Sequence, residues 1–250
     1  MVRPVIIITG TPGWAERARA AVDADWRVYS DRAGYVARLA DDGAALILVD
    51  GADPEWRGWA VTPRTSPATR RVPVVLVSDD ADVIAQAELS GVTAALSPDA
   101  IDAELAGLVA ELARGPDPAA QAELARQCGG PLPAEAQEAI ARFNGGEYYR
   151  QHDLFEALWM AEPGPVRDLY RAILQVGIAY YQIERGNPRG ALKMLLRSVQ
   201  WLDALPDVCQ GVDIAQLRAD AAAVRAELER VTAEGGEFDR RLLKPVVLVE

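Results

Sequence analysis

Residues 143–202 read FNGGEYYRQHDLFEALWMAEPGPVRDLYRAILQVGIAYYQIERGNPRGALKMLLRSVQWL, the densest aromatic and aliphatic run of the chain, and they hold its only histidine. From Glu147 to Met160, Tyr148, His152, Phe155 and Trp159 fall at i, i+4, i+7 and i+11 along one seam, which predicts a helix with one buried face. After Glu162-Pro163-Gly164-Pro165 a second helix is expected, because proline in a first turn gives up no helical hydrogen bond. It should run to about Arg185. Its middle, Ile173 to Tyr181, is apolar nearly all the way round and so belongs inside a helical bundle. Gly177 costs roughly 1 kcal/mol there relative to alanine, an expense that a close helix crossing would offset. Gly186-Asn187-Pro188 then supplies a left-handed C-terminal residue, an N-cap and a first-turn proline, so a third helix should cover Arg189–Leu202.

Three spaced motifs occur in order: Phe143-Asn144-Gly146-Tyr148, then His152-Asp153-Glu156-Trp159, then Gly186-Asn187-Gly190-Ala191. Together they resemble the helical family described as domain of unknown function 309, over roughly residues 133–232. Asp153 stands where that family usually carries Glu. The resemblance implies an all-helical bundle and no established activity.

With 250 residues the chain is long enough for two domains, each able to bury a core. No apolar run reaches the roughly 18 residues of a membrane span, and the start of the chain is too short in apolar residues for a signal sequence, so a cytoplasmic protein is expected. Cys128 and Cys209 lack CxxC spacing and suggest neither a disulfide framework nor a zinc site; free thiols are expected. The net charge of −11 argues against a phosphate-backbone binder, so neither nucleic acid nor membrane is expected as a partner.

In the first half, residues 4–9, PVIIIT, read as a strand covered on both faces. Helix Trp14–Val22, strand Trp26–Tyr29, helix Asp31–Asp41, strand Ala45–Val49, strand Val72–Val77, helix Ala81–Leu89, strand Thr93–Leu96 and helix Ile101–Ala113 follow. The alternation predicts a flavodoxin-like, doubly wound five-stranded parallel sheet over residues 1–115, α/β in class, followed by the all-α bundle.

Order and spacing over about residues 3–115 resemble a response-regulator receiver domain. Asp50 ends the third strand in the phosphoacceptor place, Ser78 ends the fourth in the Ser/Thr place, and Gly91-Val92 resembles the Gly-Ala before the fifth. Thr9-Gly10-Thr11 stands where the family has its magnesium-holding acids, and Ser97-Pro98 where it has a lysine before proline. Phosphoryl transfer to a carboxylate needs a divalent cation on hard oxygen ligands and a cationic group for the product. Asp50 alone supplies neither, Asp79 and Asp80 lie in another loop, and Asp50 is therefore expected to be inactive and to cap a backbone turn.

Residues 116–132, rich in glycine and proline, read as a linker holding a short helix, Ala119–Gln127. The bundle is expected over 133–235, ending with a helix Ile214–Val231 capped by Asp213. Residues 236–250 read as an extended segment, because Pro245 opposes a helix and RLLKPVVLVE is too apolar for a solvated tail.

His152 and Glu156 share a helix face and could hold a metal with a third group, yet no other histidine completes a set. The alternative is a buried network in which His152 pairs with Glu156 and with Gln175 or Tyr180. Arg185, Arg189, Lys193 and Arg197 form a cationic series, expected as a solvated face paired with neighbouring glutamates, with an anion or acidic partner as the alternative. The expected function is a non-catalytic regulatory or scaffolding protein: a pseudo-receiver serving as a docking or dimerisation surface, fused to a bundle that binds a protein partner or small ligand. The groove and polar network would comprise Tyr148, His152, Asp153, Glu156, Trp159, Gln175, Tyr181, Asn187 and Arg189. No catalytic residue, metal site or cofactor is assigned. The competing readings are a phosphorelay regulator using Asp50 and a metal-dependent enzyme using His152 and Glu156.

Overall fold

Runs of consecutively buried apolar residues, alternating between two covered faces of a sheet, build the first of two units. The computed structural model describes residues 3–114 and 117–249 and divides into units Met1–Pro116 and Asp117–Glu250. Strands β1 (Val5–Thr9), β2 (Asp25–Tyr29), β3 (Ala44–Asp50), β4 (Val74–Val77) and β5 (Ala94–Leu96) form one sheet in the order β2-β1-β3-β4-β5. Every pairing is parallel. Side chains alternate across the sheet. Ile7, Ile47, Val49, Val74 and Leu76 point to one face, where α2 (Tyr35–Asp41), α3 (Trp56–Val61) and α4 (Ala81–Leu89) bring Leu39, Trp59 and Ala87. Ile6, Ile8, Leu46, Leu48, Val75 and Val77 point to the other, against α1 (Ala15–Ala21) and α5 (Ile101–Leu112). This is the flavodoxin-like order expected above. Strand order reverses between β1 and β3, so the loops after those strands splay apart and leave a crevice beside Asp50.

Helix α3 has no counterpart in the sequence reading, which passes from the third strand to the fourth. It is six residues long and set between Pro54 and Pro63, too brief for a helical period to register. Tertiary packing holds it: Trp56, Trp59 and Ala60 are buried, and the Tyr35 hydroxyl donates to the Trp59 carbonyl at 3.1 Å.

In the second unit, α6 (Pro118–Cys128), α7 (Ala134–Asn144), α8 (Arg150–Ala161), α9 (Arg167–Glu184), α10 (Pro188–Leu202) and α11 (Ile214–Glu234) pack around one core. Helix α9 lies at its centre, burying ten residues from Leu169 to Ile183. The turn before α10 forms as expected: Gly186 takes φ +69°, and the Asn187 side chain accepts the Gly190 amide at 3.0 Å.

The stretch read as a linker is corrected in two respects. Helix α6 belongs to the second unit, with Leu124 and Cys128 in its core. Cys128 is also bonded to Cys209, 81 residues away in sequence, where free thiols were expected. The sequence lacks any sign of this pairing because it depends on the chain returning from α10 through a small hairpin, β6 (Val208–Cys209) and β7 (Val212–Asp213). The Gln210 amide donates to the Cys128 carbonyl at 2.6 Å, which fixes the hairpin beside the end of α6. Among the described residues no helix is long and apolar enough to cross a membrane.

The C-terminal segment runs extended, as expected, after a single 3-10 turn at Arg240–Leu242. Val246 is buried, and the Asn144 side chain clamps its backbone from both sides: Nδ2 donates to the Val246 carbonyl at 2.9 Å and Oδ1 accepts the Val246 amide at 2.7 Å. Beyond it, Leu248 bridges Val212 in antiparallel fashion. Replacing Asn144 by Ala removes both bonds and leaves two backbone groups in a half-buried site, a loss of about 1–3 kcal/mol. Urea unfolding of Asn144→Ala should show it; a midpoint equal to wild type would mean that the clamp contributes nothing.

Candidate functional site

Chemically capable side chains come together at the strand ends of the first unit and on the helices of the second.

In the first unit a cavity of about 550 Å³ opens at the carboxyl ends of the strands, with Trp14, Arg17, Asp50, Ser78, Asp79 and Asp80 among its walls. The parallel sheet places the loops after β3 and β4 side by side, so Asp79 and Asp80, set aside above as lying in another loop, face the same space as Asp50. Each carboxylate is already engaged. Asp50 Oδ1 accepts the Trp14 indole N–H at 3.4 Å and the Ala52 amide at 3.2 Å. Asp80 caps α4 by accepting the Asp82 and Val83 amides. Asp79 accepts the Ser97 hydroxyl at 2.5 Å. Arg17 is held by Asp102 at 2.5 Å and by the Asp99 carbonyl. Trp14 is nearly buried, and among the described residues the Thr9 hydroxyl, at the end of β1, is fully buried with no hydrogen-bond partner. A divalent cation needs several hard oxygen ligands free to converge. Among the described residues no group of three metal-ligating side chains does so, and the indole lies on the carboxylate such an ion would share. The residues present do not fit a receiver's magnesium.

Ser78 is almost buried and accepts the Asp80 amide at 3.1 Å. It also presses on Gly51, whose position could not carry a Cβ without coming within 2.6 Å of Ser78 Cβ. The crevice is closely packed behind Asp50.

In the second unit the expected polar network does not form. The His152 ring, 28% exposed, meets Asp153 Oδ1 at 3.2 Å and stacks on Tyr149 with ring centroids 6.3 Å apart. Among the described residues it bonds to neither Glu156, Gln175 nor Tyr180. Tyr180 instead packs with Phe143 and Tyr148 in a three-ring cluster at 5.4 Å spacings, and burial pushes its hydroxyl pKa upward. The Gln175 carbonyl oxygen is buried without a partner. Asn187 serves as the α10 cap, and Arg189 is exposed.

The buried seam of α8 is also rotated from the expected one. Gln151 and Phe155 are fully buried, whereas His152 and Trp159 are only partly so. Gln151 donates to the Tyr148 carbonyl at 2.9 Å, and its amide lies against the bare Cα of Gly177. Seating an amide there requires a neighbour without a side chain, a pairing across two helices that no local period reveals.

What the bundle does present is a partly exposed face across three helices. The Arg171 guanidinium of α9 lies between Trp159 of α8 and Trp201 of α10, 4.5 and 4.7 Å from their ring centres. Asp168 pairs with Arg171 at 3.5 Å, and burial raises its carboxyl pKa despite that partner. Farther along, Tyr149 is more than half exposed and meets Tyr181 at 5.3 Å. His152, Glu156 and Trp159 recur at helical spacing on this side. Two groups thus hold residues of the expected groove: His152 and Tyr181 each meet Tyr149, and Trp159 meets Arg171, which also meets Trp201. A Trp-Arg-Trp stack drawn from three helices leaves no signature in any one of them.

Comparison with known proteins addresses the second unit. Residues 136–194 match the family described as Domain of unknown function (DUF309). An uncharacterized protein of Aquifex aeolicus (strain VF5) is 25% identical over 84 residues, which is 33% of this chain and 25% of that protein. The match thus spans about a quarter of that relative's length. Asn144, His152, Gly177 and Asn187 all fall inside the DUF309 segment. Among solved structures, the Mn(2+)-bound form of response regulator Rcp1 is similar at 17% identity and a TM-score of 0.36, over 46% of this chain and 99% of that one.

Proposed function

We propose that this chain is a non-catalytic regulatory or scaffolding protein in which a receiver-like unit that takes no phosphoryl group is joined to a DUF309 bundle that binds a partner. The observation that carries the first part is the Trp14 indole on Asp50: an N–H donor lies on the carboxylate where phosphoryl chemistry would need a metal. The second part is supported by the face around Tyr149, His152, Trp159, Arg171 and Tyr181, whose aromatic and guanidinium groups suit recognition of a protein segment or a small planar ligand.

Incubating the protein with Mg²⁺ and acetyl phosphate tests the first part. Intact-mass measurement should show no adduct of about 80 Da, the mass added by one phosphoryl group. A stoichiometric adduct that is lost in Asp50→Asn would replace this reading with a working phosphorelay regulator.

A further inference from the structure

At the opposite edge of the first unit's sheet, where β4 and β5 begin, a second cavity of about 390 Å³ is framed by three arginines, Arg64, Arg71 and Arg114, with Glu111 as its one carboxylate. Arg64 is a partly buried cation whose partners are all neutral. Its guanidinium donates to the carbonyls of Arg70, Val72 and Gly91 and to the Thr93 hydroxyl, at 2.6–3.2 Å. Its Nε is buried with no hydrogen-bond partner among the described residues. Burial lowers its pKa, the direction expected of a cation removed from water without a counter-ion. Arg71 and Arg114 are exposed, and among the described residues neither is paired with a carboxylate. Arg114 is nonetheless anchored, its amide donating to the Ala45 carbonyl at 3.0 Å.

Like charges brought together around a concave, partly apolar space repel one another unless an anion compensates them. The chain carries an excess of acids overall, −11 in net charge, yet among the described residues lining this cavity Glu111 is the one carboxylate. We propose that this cavity is a binding site for a small soluble phosphate-class dianion, held by Arg71 and Arg114 and balancing the charge of Arg64. Guanidinium forks match tetrahedral oxyanions in charge and in the spacing of their donors. The volume exceeds what one inorganic phosphate fills, and Pro73, Leu112 and Ala113 provide apolar wall for the body of a small phosphomonoester. The site lies at the end of the sheet away from Asp50 and does not depend on that residue.

The test is equilibrium dialysis of the full chain against radiolabelled inorganic phosphate and, separately, glycerol 3-phosphate, in wild type and in Arg71→Glu/Arg114→Glu. Wild type should retain one ligand per chain and the variant should bind at least about tenfold more weakly, a loss of about 1.4 kcal/mol or more. Tighter retention of glycerol 3-phosphate than of phosphate would assign the rest of the cavity to an organic body. No retention of either ligand by wild type at 10-millimolar-scale concentrations would overturn the proposal, as would equal retention by wild type and variant. Because both substituted residues are exposed, circular dichroism should show the variant folded; Arg71→Gln/Arg114→Gln, with the same expected loss, serves should reversal of charge unfold it.

Discussion

Reduction of the Cys128–Cys209 bond should lower the unfolding free energy of the second unit by about 4 kcal/mol. The two cysteines are 81 residues apart, and cross-linking a loop of that size removes conformational entropy from the unfolded chain equivalent to roughly 4.5 kcal/mol at 25 °C. Relaxation of the reduced chain brings the expectation slightly below that ceiling. Both cysteines are buried, at 7% and 0% exposure, so the double variant Cys128→Ala/Cys209→Ala is preferable to serine, which would bury two new hydroxyls. Urea unfolding of wild type, of wild type with dithiothreitol, and of the double variant should give one high midpoint and two similar low ones. Thiol titration of the unfolded, unreduced protein should find no free thiol among the two. Finding both free, or three coincident midpoints, would return the cysteines to the free state expected from their spacing.

The second large effect is expected at Gly177. In Gly177→Val the new Cβ points at the Gln151 amide and comes within 3.1 Å of Phe143 Cδ2. Gln151 is completely buried and bonded to the Tyr148 carbonyl, so its amide cannot swing into solvent, and Phe143 is locked in the three-ring cluster. The added methyl groups must separate α8 from α9 or break that cluster. The cost should be about 3 kcal/mol, the upper range for overpacking a filled core, despite valine's release from glycine's entropic penalty in a helix. Gly177→Ala should lose less. If Gly177→Val unfolded at the wild-type midpoint, the contact would have no part in closing the bundle. Elevated affinity for a hydrophobic dye at neutral pH would show the core opening directly.

These sites also show where sequence reading succeeds. The sheet was legible because each strand's burial is a property of consecutive residues, as in Ile6-Ile7-Ile8 and Leu46-Ile47-Leu48-Val49, which alternate between two covered faces. The α9–α10 corner was legible because Gly186, Asn187 and Pro188 each do a local job. What remained hidden joins residues far apart in sequence: Cys128 with Cys209, Asn144 with Val246, Gln151 with Gly177, Arg171 with two tryptophans on other helices. His152 illustrates the limit. Its spacing from Phe155 and Trp159 gave the helix, but a rotation of that helix by about one residue buried Gln151 instead and left the imidazole beside Asp153. Around Asp50 the substitutions at Thr9 and Ser97 were visible in the sequence; the indole on the carboxylate was not, because Trp14 reaches it from the start of α1 across 36 residues.

The grip of Asn144 on Val246, together with the Val212–Leu248 bridge, has a consequence for biosynthesis. The part of the second unit translated last is the part that closes it. While the ribosome still holds residues 246–248, the Asn144 side chain has no backbone to clamp and Val212 of β7 has no bridge partner. The nascent unit stays incomplete until residues 246–248 have left the exit tunnel, whereas the first unit has its whole sheet outside it long before.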